Sequence, residues 1–464
     1  MNAHRRSPLV GVAASAVLIF AACSGSAGST ASPAATAAAA PSGVASTAAA
    51  PSAAVASAAA PSAASSAASS APVVLQFWST YNQQDTEAST FANVVIPAFE
   101  QQYPGVEVKS VVFPSSGTEL LSKLLAAISA GDPPDVVRTD ISWVTQLAKL
   151  GALQPLSTSL SNWQTLASSV YPGSLSTNLW KGTYYGLPLD TNTQVLFWNK
   201  ADFQAAGLSG PPQTFSELVT DAQKLTDPAK KQWGLSVDGT DIWNVSPYVW
   251  SNGGSFVNAA GTTASGYVNG KATVDALTSL VNMYKAGDIG TDFLGGSGTI
   301  GGEQGFPKGQ YAMYIDGPWA IPTYQSQFPN LSYGMAPIPA GSGGSISVVG
   351  GEDVVVPAGG KHLQAADEFA TFLLSPTAQL AMAKAGQMSV VGSVASQETA
   401  AVSYYAPFAT QLETAKARPP VPQYSQIDTD FSNALQQALH GSMTVQQAMD
   451  QVAQQADALL AQNK

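Results

Sequence analysis

Indole and phenol rings recur beside carboxylates and amides along this sequence, a pairing suited to a small hydroxyl-rich molecule. An aromatic face covers apolar C–H groups, and carboxylate or amide oxygens take the hydroxyl protons. The combinations fall at the ends of predicted strands: Trp78, Tyr81 and Asn82; Asp140 and Trp143; Asp190 and Asn192; Gly351, Glu352 and Asp353. Asp241 and Trp243 precede a Trp250-Ser-Asn-Gly-Gly254 run, Trp319 ends Gly317-Pro-Trp, and Tyr424 closes Arg418-Pro-Pro-Val-Pro-Gln-Tyr as a candidate for the rim. A close acid and nucleophile pair among Asp140, Asp190, Asp241 and Glu352 would instead be the apparatus of a glycosidase. No feature marks out such a pair, and hydroxyl binding explains the same residues. Trp198 and Trp250 lie within strand and helix patterns and read as core.

Other chemistries find little support. After residue 72 there is no Gly-x-Ser-x-Gly elbow and no phosphate-binding P-loop, and Gly296-Ser-Gly-Thr-Ile-Gly301 lacks the preceding strand and following amphipathic helix of a dinucleotide site. The three histidines are His4, His362 and His440, too few for a His-built metal site, so no metal and no cofactor is expected. A net charge of −11 argues against nucleic acid, and a charged fraction of only 11% favours an uncharged ligand over an ionic one.

The single cysteine, Cys23, ends an apolar run from Leu9 to Ala22 that follows His4, Arg5 and Arg6. The run is shorter than the roughly twenty residues needed to span a bilayer, and basic start, apolar stretch and small Ala21-Ala22 pair make a secretion signal. Ala-Ala-Cys resembles a lipobox, with Phe20 where Leu is usual, so Cys23 is the expected lipidation site and residues 1–22 the signal peptide. Export by the general route fits better than twin-arginine export on Arg5-Arg6. Residues 23–72 follow as a tether that after Cys23 is Ala, Ser, Pro, Thr and Gly apart from Val44 and Val55, and in which Pro41, Pro51 and Pro61 interrupt any helical run. A coil of about fifty residues spans on the order of 40 Å.

The remainder, Val73 to Lys464, is long enough for two lobes. Val73–Trp78, Val106–Phe113 and Val136–Arg138 read as strands. Helical patterns alternate with them: Phe91 to Phe99, interrupted by Pro97; Leu120 to Ile128 behind a Ser116-to-Glu119 capping box; and Ser142 to Leu150. Such alternation predicts an α/β fold with a mostly parallel sheet and a ligand at the carboxyl ends of its strands. A second lobe begins with the Gln194–Trp198 strand and the helix opened by Thr214-Phe-Ser-Glu217. The last helix follows Thr444-Val-Gln-Gln447 and presents an apolar stripe from Val445 to Leu460.

Several segments, in order, carry a specific resemblance: Ala130-Gly-Asp-Pro-Pro-Asp-Val136, Tyr185-Gly-Leu-Pro, Val195-Leu-Phe-Trp-Asn-Lys200, Trp250 to Gly254, and Gly309-Gln-Tyr-Ala-Met-Tyr-Ile-Asp-Gly-Pro-Trp319. From Val73 to the end the sequence resembles the extracellular solute-binding proteins of ABC importers, in the carbohydrate-binding group that includes maltose-binding protein. The resemblance implies a two-lobed periplasmic-binding-protein fold closing on a sugar by hinge bending, and no enzyme activity. It also implies a monomer whose closed form is read by permease subunits, with the lipid as its hold on the membrane. By the same resemblance, Trp319 stacks on sugar, and Asp241 and Trp243 supply a carboxylate and a second stacking ring. The expected lobes are 73–189 with 338–388 and 190–337 with 389–464. Crossovers are expected near 187–193, 336–342 and 387–392.

Overall fold

The computed structural model describes residues 72–463 apart from 84, 85, 115, 116 and 297. The signal peptide, Cys23 and the tether as far as residue 71 lie outside the described residues, as does Ser116 of the first expected capping box.

Val73–Ser79 alternates between faces, and Leu75, Phe77 and Ser79 are fully buried. Burying an aliphatic or aromatic side chain of this size contributes about 1.5–3 kcal/mol, which fixes the register of the first sheet. That sheet has five strands in the order Val106–Val112, Val73–Ser79, Val136–Asp140, Glu352–Val355, Gly186–Pro188. Phe77 stacks on Phe91 at 4.9 Å and meets Phe369 edge-on at 5.4 Å, tying helices to the sheet. Pro97 does not break the first helical stretch. Its missing N–H is accommodated by a π turn, Phe91–Val95, in which Ile96 N–H donates to the Phe91 carbonyl before the helix Ile96–Gln102 continues.

The sheet is mixed and not mostly parallel. Val73–Ser79 is parallel to both its neighbours, but Glu352–Val355 runs antiparallel to Val136–Asp140 and to Gly186–Pro188. The reason is connectivity: Gly186–Pro188 leads the chain out of this lobe, and Glu352–Val355 brings it back from the other. In the second lobe, Val195–Asn199 is antiparallel to both Tyr333–Ala336 and Met313–Asp316. Parallel pairing there is limited to the short ladder of Val348–Gly350 with Lys416–Ala417 and to single bridges such as Ser236 with Tyr314.

The second core runs from Leu196 to Leu460 and is closed by two long helices, Tyr424–Leu439 and Val445–Leu460. The stripe of the last helix is buried as expected, and its capping box is formed: Gln447 N–H donates to Thr444 Oγ1 at 3.2 Å and the Gln447 side chain accepts from Thr444 N–H. The Thr214 and Glu217 box is formed in the same way.

The chain leaves the first lobe between Pro188 and Asn192, but the other crossovers fall later than expected. Ile346 and Val348 belong to the second core, so the return is at Gly351, where φ is +132° and a Cβ would lie 2.4 Å from the Asp190 carbonyl oxygen. The Gly-rich stretch after Ile338 reads as a linker because it lacks apolar residues. It folds back on the second lobe, with Gly343 N–H donating to the Ser251 carbonyl at 2.7 Å. Val390, Val391 and Val394 pack in the first core, which puts the third passage after Val394.

Candidate binding site

Between these two cores lies a cavity of about 620 Å³. Thr80, Asn82, Glu87, Arg138, Asp140, Trp143, Glu352 and Gln387 line one wall; Asp238, Asp241, Trp243, Glu303, Trp319, Arg418, Tyr424 and Asp428 line the other. Ten of the fourteen residues singled out above reach it: Asn82, Asp140, Trp143, Asn192, Asp241, Trp243, Trp319, Gly351, Glu352 and Tyr424.

Glycines set several of these rings. A Cβ on Gly317 would lie 2.0 Å from Trp319 Cζ3, and one on Gly350 would lie 2.5 Å from Trp243 Cη2. Gly117, at φ +73°, admits the Trp143 indole, which a Cβ would meet at 2.7 Å. Trp243 and Trp319 therefore stand half-buried with centroids 6.4 Å apart and planes at 34°, a pair of adjacent platforms.

Four expected residues stand behind the walls. Trp78 leans on Phe113 at 5.1 Å in the core of the first lobe. Tyr81 is buried beneath the Arg138 guanidinium, 4.3 Å from its ring centroid. Asp190 faces the same guanidinium at 3.5 Å. Asp353 is fully buried on the opposite side of its strand from Glu352, accepting from Asn178 Nδ2 at 2.7 Å and from Thr177 Oγ1. Successive strand residues face opposite ways, so Glu352 and Asp353 cannot both line one cavity.

Sequence reading missed both arginines. Arg138 donates Nη1 to Thr80 Oγ1 at 3.0 Å and forms an ion pair through Nη2 with Glu352 at 2.7 Å, with Asp190 and Gln387 oxygens each 3.5 Å away. Burial alone would lower its pKa, but the Glu352 and Asp190 charges outweigh that and raise it. Its signal was available: Arg138 precedes Asp140 by two in one strand, so both point to one face. Arg418 reaches across the cleft, its Nη2 2.8 and 2.9 Å from the two Asp140 oxygens, while its plane lies 5.2 Å from the Trp243 centroid and 5.5 Å from that of Tyr424. Ser425 adds a second bridge between the lobes, donating to Gln146 Oε1 at 3.1 Å.

Acids dominate the second wall. Asp241 caps the helix Ile242–Ser251, accepting from Asn244 N–H at 3.1 Å, and burial pushes its carboxyl up. Burial, and then the Asp241 charge, push Asp428 up to about 7; burial, and then Glu87 and Asp238, push Glu303 up to about 7. The Tyr424 hydroxyl and Asn192 Oδ1, on residues 3% and 6% exposed, have no hydrogen-bond partner among the described residues. Buried polar groups are ordinarily satisfied; here both line the cavity. Such an arrangement is chemically equipped for stacking and hydrogen bonding.

The fold has counterparts among known proteins. The chain is 26% identical over 396 residues to a putative binding protein of Brucella abortus, covering 82% of this chain and 92% of that one. It is 25% identical over 381 residues to the galactooligosaccharide-binding protein of Bacillus subtilis, covering 80% and 87%. Among solved structures, the GacH receptor of Streptomyces glaucescens, studied unliganded and with acarbose, superposes with a TM-score of 0.74 at 26% identity, over 84% of this chain and 99% of that one. An ABC transporter solute-binding protein of Thermotoga lettingae bound with α-D-tagatose gives 0.76, also at 26% identity, over 84% and 100%. The maltose-bound MalE3 of T. maritima, 22% identical with a TM-score of 0.74, shares the same two-lobed fold. The family model for bacterial extracellular solute-binding proteins matches residues 82–380, and the chain belongs to that family.

Proposed function

We propose that this chain is the membrane-anchored, extracytoplasmic binding component of an ABC importer. It captures a di- or oligosaccharide by lobe closure and presents the closed form to permease subunits. The observation that carries the reading is the cavity between the lobes, in which the Trp319 and Trp243 platforms stand among carboxylate and amide groups from both walls. Stacking covers a sugar's C–H face, and the acids and the unpartnered Asn192 and Tyr424 atoms take its hydroxyls. Only a closed form lets both walls touch one ligand, so binding shifts the population toward closure. The relatives that bind a galactooligosaccharide, acarbose or tagatose by name support a carbohydrate ligand. Acylation of Cys23 holds the protein at the membrane, with the tether giving the lobes reach; Cys23→Ala releases it or leaves uncleaved precursor, read by lipid labelling.

A thermal-shift screen of the purified protein against mono-, di- and trisaccharides, with polyamines and sugar acids as controls, tests the ligand class. A ligand at a hundred times its Kd adds about 2.7 kcal/mol to stability. A sugar that raises the midpoint and is recovered unchanged supports the reading. Consumption of the sugar would replace it with an enzyme, and a hit confined to polyamines or acids would change the ligand class.

A further inference from the structure

The charge of the cleft narrows the ligand further. Arg138 and Arg418 are the basic side chains that line the cavity, and each is already held by carboxylates, Glu352 at 2.7 Å and Asp140 at 2.8 Å. Asp238, Asp241, Glu303 and Asp428 line the same cavity and form no ion pair among the described residues. Across from Glu303, in the other lobe, Glu87 accepts from Asn82 N–H at 3.0 Å and from Gln387 Nε2, so it holds a fixed acidic group to the same space. Like charges brought together from two lobes oppose closure, and their repulsion strengthens as water leaves. A cation between them reverses that sign.

Two further observations are compatible with a donor-rich, positively charged ligand. Asn192 Oδ1 and the Tyr424 hydroxyl, both in side chains more than nine-tenths buried, line this cavity without partners and can accept hydrogen bonds. The aromatic wall is also suited to positive charge: Trp243 already carries the Arg418 guanidinium 5.2 Å from its centroid, and Trp319 lies 6.4 Å from Trp243. Resting on the carbohydrate reading above, we infer that the preferred ligand is an amine-bearing sugar whose ammonium group sits between Glu303, Asp238 and Glu87 and draws the two lobes together. Neutral sugars still stack and donate hydroxyls but leave the facing carboxylates without a counter-charge, and bind more weakly.

Isothermal titration of the purified protein at pH 7.5 tests this with matched probes. These are glucosamine and its β-1,4-linked dimer and trimer, their N-acetylated counterparts, cellobiose, and spermidine as a sugar-free cation. The expected result is that at least one amine sugar binds tenfold or more tighter than both its N-acetylated and its hydroxyl counterpart. That ratio falls toward one in Glu303→Gln and returns in Glu303→Asp, each variant first shown by its melting profile to fold. Neutral sugars binding as tightly as their amines, with Glu303→Gln leaving the ratio as it was, would overturn this inference and leave the carbohydrate reading standing. Spermidine binding with every sugar silent would overturn the carbohydrate reading as well, and binding of no probe would overturn this inference, leaving the carbohydrate reading to the broader saccharide screen.

Discussion

The two arginines of the cleft occupy opposite situations, and so do the walls that hold them. Arg138 is built in: its terminal nitrogens meet Thr80, Glu352, Asp190 and Gln387, and its plane covers Tyr81. Arg418 is laid across a gap, touching Asp140 of one lobe while its own lobe offers it the faces of Trp243 and Tyr424. Around Arg138 the first wall meets its electrostatic needs internally and acts as a rigid floor, while its Asp140 takes its cation from the other lobe. The second keeps acids without ion pairs among the described residues, and orphaned acceptors, facing the cavity, where the proposed ligand would meet them. Stability and affinity should therefore separate by wall.

The largest effect should come from the floor. Arg138→Met leaves Asp190 and Glu352 facing each other without their shared cation, and removing one partner from a buried ion pair costs about 3–5 kcal/mol. A fall in the denaturant midpoint of that order is expected. An unchanged midpoint would show that the buried network is dispensable and the contrast between walls false. Next is the platform: Trp319→Ala should lower ligand affinity about 100-fold, or about 2.7 kcal/mol, with the fold intact because the ring is half-exposed. Equal affinity in that variant would remove Trp319 from the site.

A third expectation concerns pH. Glu303 and Asp428 are raised to about 7 and Asp292, beside Asp238, to about 8, each first by burial. For an acid whose folded pKa is raised, stability is full below its unfolded pKa, near 4 to 4.5, and is lost as pH climbs through the folded value. The ligand-free protein should thus melt lower at pH 8 than at pH 5, and Glu303→Gln should recover about 1–2 kcal/mol of the difference. A flat profile would place these carboxylates in contact with water and weaken the case for a pent-up negative wall.

Much of this was legible in the sequence. Period-2 burial in Val73–Ser79, the Thr214 and Thr444 capping boxes and the stripe of the last helix are local signals, and local signals survive folding. What escaped depends on contacts far apart in the chain. Sheet direction turned on a strand returning from the other lobe at Glu352–Val355. Arg418 gained its meaning only from Asp140, 278 residues earlier. Asp353 was drawn into the expected site because it neighbours Glu352, yet adjacency along a strand sends the two side chains to opposite faces. Glu303 sits in a Gly-rich stretch with no aromatic beside it, so no pattern marked it before Asp238 and Glu87 were seen to share its cavity.

The smallest expected effect is the sharpest test of how the second wall works. Tyr424 carries a hydroxyl without a partner among the described residues and a ring that supports the Arg418 guanidinium at 5.5 Å. If the hydroxyl meets ligand, Tyr424→Phe removes one neutral hydrogen bond, about 0.5–1.5 kcal/mol, and affinity falls about three- to tenfold while the ring still holds Arg418 in place. The free protein should be unchanged or slightly more stable, since a buried hydroxyl with nothing to bond is itself a cost. Those two effects have opposite signs only if the group is reserved for ligand. A loss of stability in the free protein, with affinity untouched, would mean that the hydroxyl serves the fold, and that the second wall is satisfied from within like the first.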